Sequence, residues 1–395
     1  MKIAVIAPTH IPARRANTLQ VMKMTQALAS LGHSVRLIAP GSPTPGEESC
    51  RWDELAQQYG LLRPFPVEWL AASPRLRRYD FGWQAVRRAR QWEADLLYTR
   101  LPQAATMASV LGMATILEIH DLPQGKVGPL MFRLFLRGRG AKRLVVITHT
   151  LALDLAQKLG APASPPFTII APDGVDLARY ADLPDPAQAR QALNHAREAG
   201  SSMLPERFTA GYTGHFYPGR GHELLLAMAE RLPEITFLLV GGEPEDVARL
   251  QAQAKGLKNV ILSGFIPNVD LPLYQAACDV LLMPYQRQVA ASSGGDIARY
   301  LSPMKLFEYL ACGRAILCSD LPVLHEVLNP ENAVLLPPDD TQAWVNALKS
   351  LQAEPERRGK LAAKARQVAV LYTWEARAAQ VLDRIKGTET LTIPR

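Results

Sequence analysis

Short apolar runs recur along the chain at residues 2–7, 34–39, 67–70, 95–99, 115–119, 144–148 and 167–170, and again at 208–212, 236–240, 260–263, 279–283, 315–318 and 332–336. Each is closed by proline, glycine or a polar turn, which is the signature of a buried strand. Stretches of helical period lie between them. Residues 17–31 place Leu19, Met22, Leu28 and Leu31 on one side, with Asn17 as the expected N-cap and Gly32 as the stop. Further helices are expected at 52–59, in a segment ending near 93, at 151–159, after the turn 214–221, at 341–353, at 356–371 and from 372 onward. Strand and helix alternate throughout, so the fold class is α/β with parallel sheets.

With 395 residues the chain exceeds one ordinary core and predicts two α/β domains. The Pro-rich joint at 162–166 and the polar stretch 182–207 place the hinge near 165–205, with units at 1–170 and 171–372 and a terminal segment at 373–395. An apolar fraction of 48% and a charged fraction of 21% are those of a soluble globular protein. The four cysteines, at 50, 278, 312 and 318, have no metal-ligand spacing and suit a reducing cytoplasm. No apolar run spans a bilayer, and residues 1–6 read as a first strand rather than a signal peptide.

A net charge of +7 favours anionic partners: nucleotides, lipid headgroups or nucleic acid. The basic residues lack aromatic interleaving and a helix-turn-helix context, which argues against nucleic acid. Across 128–143, Leu130, Met131, Phe132, Leu134, Phe135 and Leu136 interleave with Arg133, Arg137, Arg139, Lys142 and Arg143. That pattern suits a helix lying on an anionic membrane surface, and equally one packed on its own domain with solvated arginines.

Chemistry concentrates at 302–320. Ser302 is an expected N-cap, Pro303 suits the first helical position, and Leu306, Phe307 and Leu310 form an apolar face. Gly313 ends the helix and a buried strand follows. The free N–H groups of such a helix start suit a phosphate, and Lys305 adds a cation in the first turn. Glu308 further along can accept from two sugar hydroxyls. A helix end for phosphate and a carboxylate for hydroxyls describe a nucleotide-sugar pocket, although Glu308 could also be a simple helix-surface group. The turn 214–221, with Gly214, His215 and Arg220, is a second phosphate candidate. The first strand-to-helix turn lacks Gly-x-Gly-x-x-Gly, which argues against a nicotinamide enzyme. His120 and Asp121 follow the strand at 115–119, where open α/β sheets hold ligands; a structural His–Asp pair is the alternative. Arg100 ends another strand. Arg14 and Arg15 lie in a loop and read as well as solvated charges.

The run Ser-Pro-x-Lys-x-Phe-Glu-Tyr-x-Ala-x-Gly at 302–313 resembles the donor segment of retaining glycosyltransferases of family 4 (glycosyl transferases group 1) with the GT-B fold. The segments 14–23, 117–121, 172–176 and 214–221 carry the resemblance across nearly the whole chain. It implies two Rossmann-like domains facing a central cleft, with 1–170 the acceptor domain and 171–372 the donor domain. The terminal helix, 373–395, would cross back to the N-terminal domain with Trp374 as its anchor. By the same resemblance Glu308 holds the ribose, Arg220 and Lys305 hold the diphosphate, and His120 approaches the donor sugar. Gly214, His215, Gly242, Phe265, Tyr300, Ser302, Pro303 and Met304 would complete the donor site, and Arg14, Asn17 and Asp121 the acceptor side.

Two positions depart from the family pattern. His215 stands where an arginine is more usual, and Tyr300 replaces a first glutamate. Either Tyr300 or the loop Ser292–Asp296 is the candidate substitute. The implied reaction moves a sugar from a nucleoside diphosphate sugar to a hydroxyl of a glycan, glycolipid or small molecule, with retention. No metal or cofactor is expected, since arginine and lysine can balance the leaving diphosphate. The implied location is cytoplasmic, peripheral on the inner face of the membrane. A sugar-nucleotide epimerase of the same fold and a non-catalytic nucleotide-sugar-binding protein remain the alternatives. Base, sugar and acceptor are not legible in the residues.

Overall fold

A computed structural model describes residues 1–41, 52–196, 203–290 and 295–385. Cys50 and, from the loop proposed to replace the first glutamate, Ser292, Ser293 and Gly294 lie outside the described residues. The chain divides into two compact units, one of Met1–Asp173 with Trp374–Arg395 and one of Gly174–Thr373.

The first unit holds a seven-stranded sheet of β1 (Lys2–Ile6), β2 (Ser34–Pro40), β3 (Val67–Leu70), β4 (Leu96–Thr99), β5 (Thr115–Ile119), β6 (Ala141–Val146) and β7 (Thr168–Ile170), in the order β3-β2-β1-β4-β5-β6-β7. The second unit holds a six-stranded sheet of β8 (Thr209–Thr213), β9 (Thr236–Val240), β10 (Val260–Gly264), β11 (Val280–Met283), β12 (Ala315–Ser319) and β13 (Val334–Leu336), in the order β10-β9-β8-β11-β12-β13. The strand pairs run parallel, Ile3 opposite Leu96 and Leu281 opposite Gly211 among them. Both sheets reverse direction of winding beside their first strand, the doubly wound Rossmann-like arrangement. The switch point of the first lies between β1 and β4, and that of the second between β8 and β11.

The strands read as continuous apolar runs because both faces of each sheet are covered. In the second unit Leu238, Val240, Leu281, Met283, Ile316 and Cys318 pack on one face with Leu306, Phe307 and Leu310 of the helix Met304–Cys312. Their neighbours Phe237, Leu239, Val280, Leu282 and Leu317 pack on the other with Leu225, Met228, Trp344 and Leu348. This is the period of two expected of a strand buried on both sides. In the first unit Ala4, Ile6, Ile38 and Leu97 pack against Phe81, Val86 and Ala104.

Three local expectations are corrected. The helix Ala16–Ser30 begins one residue before Asn17, which therefore sits in its first turn and caps nothing. The helix Met304–Cys312 is preceded by Pro303 in extended conformation (φ −79°, ψ 133°), so Ser302 is one residue too early to cap it. The stretch 128–143 is not one helix. The helix Val127–Arg137 stops at Gly138, because the chain then turns tightly against its neighbour. A Cβ at Gly140 would lie 2.0 Å from the Met113 carbonyl oxygen, so only glycine passes there. Lys142 and Arg143 belong to β6.

Arg143 is buried and holds the terminal helix Trp374–Leu382 by its free carbonyl end. It donates to the Val381 and Asp383 carbonyls, the latter at 2.7 Å, and its Nε donates to Pro166 at 3.1 Å. The last carbonyls of a helix lack partners within it, and an arginine is well suited to satisfy them. Trp374 is 2% exposed and opens this helix within the first unit.

Candidate functional site

In the second unit the expected donor residues converge on the switch point. β8 ends at Thr213 and β11 at Met283, and the aromatic rings of Tyr212 and Tyr285 stand there. Lys305, in the first turn of the helix Met304–Cys312, lays its Nζ 3.7 Å from the Tyr212 ring centre and 5.5 Å from that of Tyr285. This ammonium is buried and has no hydrogen-bond partner. Burial, then the charge of Arg220, holds its pKa well below the usual lysine range, against the opposing pull of Glu308.

Arg220 closes the glycine turn. It stacks 5.3 Å above Tyr285, donates to the Tyr285 hydroxyl at 3.2 Å and to the Ala290 carbonyl at 3.4 Å, and keeps a buried Nε without a partner. Both cations thus lie within 5.5 Å of the Tyr285 ring centre, with ring faces, its hydroxyl and one carbonyl around them. A buried cation left in this state is costly, and a bound anion relieves the cost.

The backbone passes close to these groups at its glycines. Gly214 follows β8 with φ +135°, and a Cβ there would meet Lys305 Nζ at 2.7 Å. Gly241 and Gly242 follow β9, also with positive φ, and a Cβ on Gly242 would press on the Phe216 ring at 2.5 Å. Phe265 is half-buried just after β10, and Ser302, Pro303 and Met304 are half-buried at the helix start. His215 stacks on Tyr217, with ring centres 4.8 Å apart.

Glu308 is 9% exposed, one turn further along the same helix. Gln275 donates to its Oε2 at 3.1 Å and Asn268 to its Oε1 at 3.5 Å. Behind them, Tyr180 donates to Gln275 at 3.0 Å and Arg179 to the Asn268 side-chain oxygen at 2.6 Å. The carboxylate is therefore oriented by amides and has acceptor capacity left for hydroxyls. This corrects the reading of Glu308 as a simple surface group. Tyr300, 5% exposed, is a core residue of a short 3-10 turn. Asp296 accepts from the backbone of Val289 and Ala298 at 2.8 and 2.9 Å, closing the base of its loop.

In the first unit His120 and Asp121 follow β5, but they do not pair. Asp121 accepts from the Leu122 N–H at 2.7 Å, and burial raises its pKa. His120 bonds instead through Nε2 to Glu118 Oε1. That same oxygen accepts from Arg377 at 2.8 Å and Gln20 at 2.7 Å. Burial works against the Glu118 anion, yet Arg377 and His120 outweigh it and hold its pKa below the usual range. Burial and the charge of Arg100 hold His120 down to about 4. Burial raises Asp173 to about 7, against Arg377.

Glu118, His120 and Asp173 offer ligand atoms within 4.8 Å of one another. The guanidinium of Arg377, on the same carboxylate oxygen, disfavours a metal ion there. Arg14 is exposed, while Asn17 is half-buried with its Oδ1 buried and unpartnered.

Sequence reading missed Asn268, Gln275 and Arg179 around Glu308, and Glu118, Gln20 and Arg377 around His120. None lies in a recognisable spacing. The signal available was a glutamate inside an otherwise apolar strand, two residues before the histidine.

Comparison with known proteins finds matches to both halves of the chain. Residues 207–354 match the family model described as Glycosyl transferases group 1, and residues 19–179 match that described as Glycosyltransferase Family 4. A phosphatidyl-myo-inositol mannosyltransferase of Mycolicibacterium smegmatis is 25% identical over 97% of this chain and 92% of its own length. A D-inositol 3-phosphate glycosyltransferase of Xylanimonas cellulosilytica is 29% identical over 76% of this chain and 68% of its own. The crystal structure of Anabaena HepE in complex with UDP has a TM-score of 0.70 at 17% identity, covering 97% of this chain and 99% of that one. The chain belongs to the group 1 glycosyltransferases and has their GT-B fold of two Rossmann-like domains.

Proposed function

We propose that this glycosyltransferase moves a sugar from a nucleoside diphosphate sugar to an acceptor hydroxyl, with retention at the anomeric carbon and without a metal. The observation that carries the reading is the pair Lys305 and Arg220 at the switch point of the second sheet, two cations that face no hydrogen-bonded carboxylate. The hard event in the reaction is departure of the diphosphate. Fixed cations in a site of low dielectric stabilise the charge that develops on it, which is the largest catalytic term such a site can supply. Lys305 and Arg220 take that role, the helix start at Met304 adds its N–H groups, and Glu308 holds the ribose. Two cations already present leave a divalent ion little to add.

Two relatives are named for inositol-bearing acceptors, so inositol phosphate and phosphatidylinositol are the first acceptors to test. Calorimetric titration with UDP, GDP and ADP should show one nucleoside diphosphate binding tightly, in EDTA as in Mg²⁺. Turnover of its sugar conjugate should give a product whose anomeric proton coupling matches the donor. Failure of every diphosphate to bind would overturn the donor site, and an inverted anomer would overturn retention.

Among the described residues no helix is long and apolar enough to cross a membrane. A cytoplasmic location, peripheral on an anionic inner leaflet, is the second part of the proposal. The helix Val127–Arg137 supports it: Phe132 and Phe135 face inward, while Val127, Leu130 and Leu134 are exposed beside Arg133 and Arg137. Co-flotation with vesicles rich in anionic lipid is expected at low salt and should fall at least fivefold in Leu130→Ser/Leu134→Ser. Equal flotation of wild type and variant would remove this helix from the account.

A further inference from the structure

Arg377 lies on the terminal helix and His120 at the end of β5, yet one carboxylate joins them. Glu118, within β5, is fully enclosed, and so is the Arg377 side chain. Arg377 spends its donors around that carboxylate: Nη2 on Glu118 Oε1 and the Ala171 carbonyl (3.2 Å), Nη1 on the Tyr98 hydroxyl (3.2 Å), Nε on the Pro172 carbonyl (2.9 Å). Gln20 completes the set, with its own oxygen accepting from Arg100 at 3.1 Å. Glu118 Oε1 thus meets Arg377, Gln20 and His120 together. An ionised carboxylate can only accept, so the His120 Nε2 bonded to it must carry the hydrogen. A neutral ring then keeps Nδ1 as its acceptor.

We infer that Arg377 is a positioning residue: through Glu118 it fixes His120 as a neutral imidazole with Nε2–H turned inward and Nδ1 left to accept from a substrate hydroxyl. The inference rests on the glycosyl-transfer reading for its substrate, but not for the state of the ring. Burial and two of the charged groups facing the ring agree with it, and one opposes it. Arg377 from the terminal helix and Arg100 from the end of β4 oppose an imidazolium; Glu118 from β5 alone favours it strongly, since burial keeps Asp173, after β7, largely protonated below about pH 7. His120 serves as an acceptor rather than as an acid, and the helix Trp374–Leu382 decides this.

The test is ¹⁵N-histidine NMR of the full chain, with the His120 signals assigned by their loss in His120→Gln. The expected wild-type spectrum has a protonated Nε2, an unprotonated Nδ1 and no titration from pH 6 to 8. In Arg377→Met the unbalanced carboxylate should draw a proton onto the ring. His120 should then titrate inside that range, and kcat should fall at least tenfold more at pH 6 than at pH 8.5. Arg377→Lys, which keeps the charge, should retain the neutral ring. A wild-type ring protonated at Nδ1, or titrating near 6.5, overturns the inference even if Arg377→Met does not fold. An unchanged ring and pH profile in folded Arg377→Met overturns it too. Should the ring behave as expected while the wild type transfers no sugar, the reading of function fails and the assignment of the ring stands.

Discussion

Lys305→Met is expected to lower kcat/KM for the nucleotide sugar by about 10²–10³, the loss seen when one donor to a developing oxyanion is removed. The same variant is expected to be more stable than the wild type. Lys305 Nζ is buried against Tyr212 without a hydrogen bond, and replacing a buried charge by an apolar group of similar volume is often stabilising by about 1–4 kcal/mol. Thermal unfolding of both proteins measures the second effect, and steady-state kinetics the first.

Both effects carry a pH signature. The folded-state pKa of Lys305 lies below its unfolded value. The folded protein therefore binds this proton more weakly than the unfolded chain does, and the penalty is present wherever the unfolded lysine is charged. The advantage of Lys305→Met should accordingly be full below the lowered pKa and shrink as pH rises from there to the ordinary lysine pKa. A diphosphate needs the ammonium form, so its affinity for the wild type should fall as pH rises through the lowered pKa. Wild-type affinity for nucleoside diphosphate in folded Lys305→Met would sink the role given to this cation.

Glu308→Gln is expected to cut kcat/KM at least tenfold, about 1.4 kcal/mol of binding to the transition state. The change is isosteric, but it replaces an acceptor by a donor facing the amides of Gln275 and Asn268. One of those amides must then turn away, at about 1 kcal/mol of stability. The role on the ribose is separable from this structural cost. Deoxygenating the ribose of the bound nucleoside diphosphate should weaken binding to the wild type and leave binding to Glu308→Gln nearly unaffected. An equal penalty in both proteins would show that the carboxylate does not touch the sugar hydroxyls.

The two cations and the carboxylate illustrate why part of the site was readable. Lys305 and Glu308 share one helix with Gly313, whose φ of +63° ends it, so their order along the chain is also their order in space. Gly214 and Arg220 are likewise separated by one turn. What set Lys305 against Tyr212 and Tyr285 was the strand order, because β8 and β11 adjoin only once the sheet is wound. Pattern reading also stopped short at β6. Lys142 and Arg143 look like solvent-facing helix residues, and Arg143 is buried only because the carbonyls of Val381 and Asp383 arrive to receive it.

The sequence by itself determined the alternation of strand and helix, the doubly covered sheets and the glycine turns that follow the strands. These depend on local period and glycine conformation, both of which act over a few residues. Only the tertiary structure decided the environment of the candidate site groups. Glu118 and Arg377 are 259 residues apart, and nothing in the spacing of either announces the other. Their meeting is enforced by desolvation: a carboxylate inside a sheet must find a cation, and packing of the terminal helix supplies it.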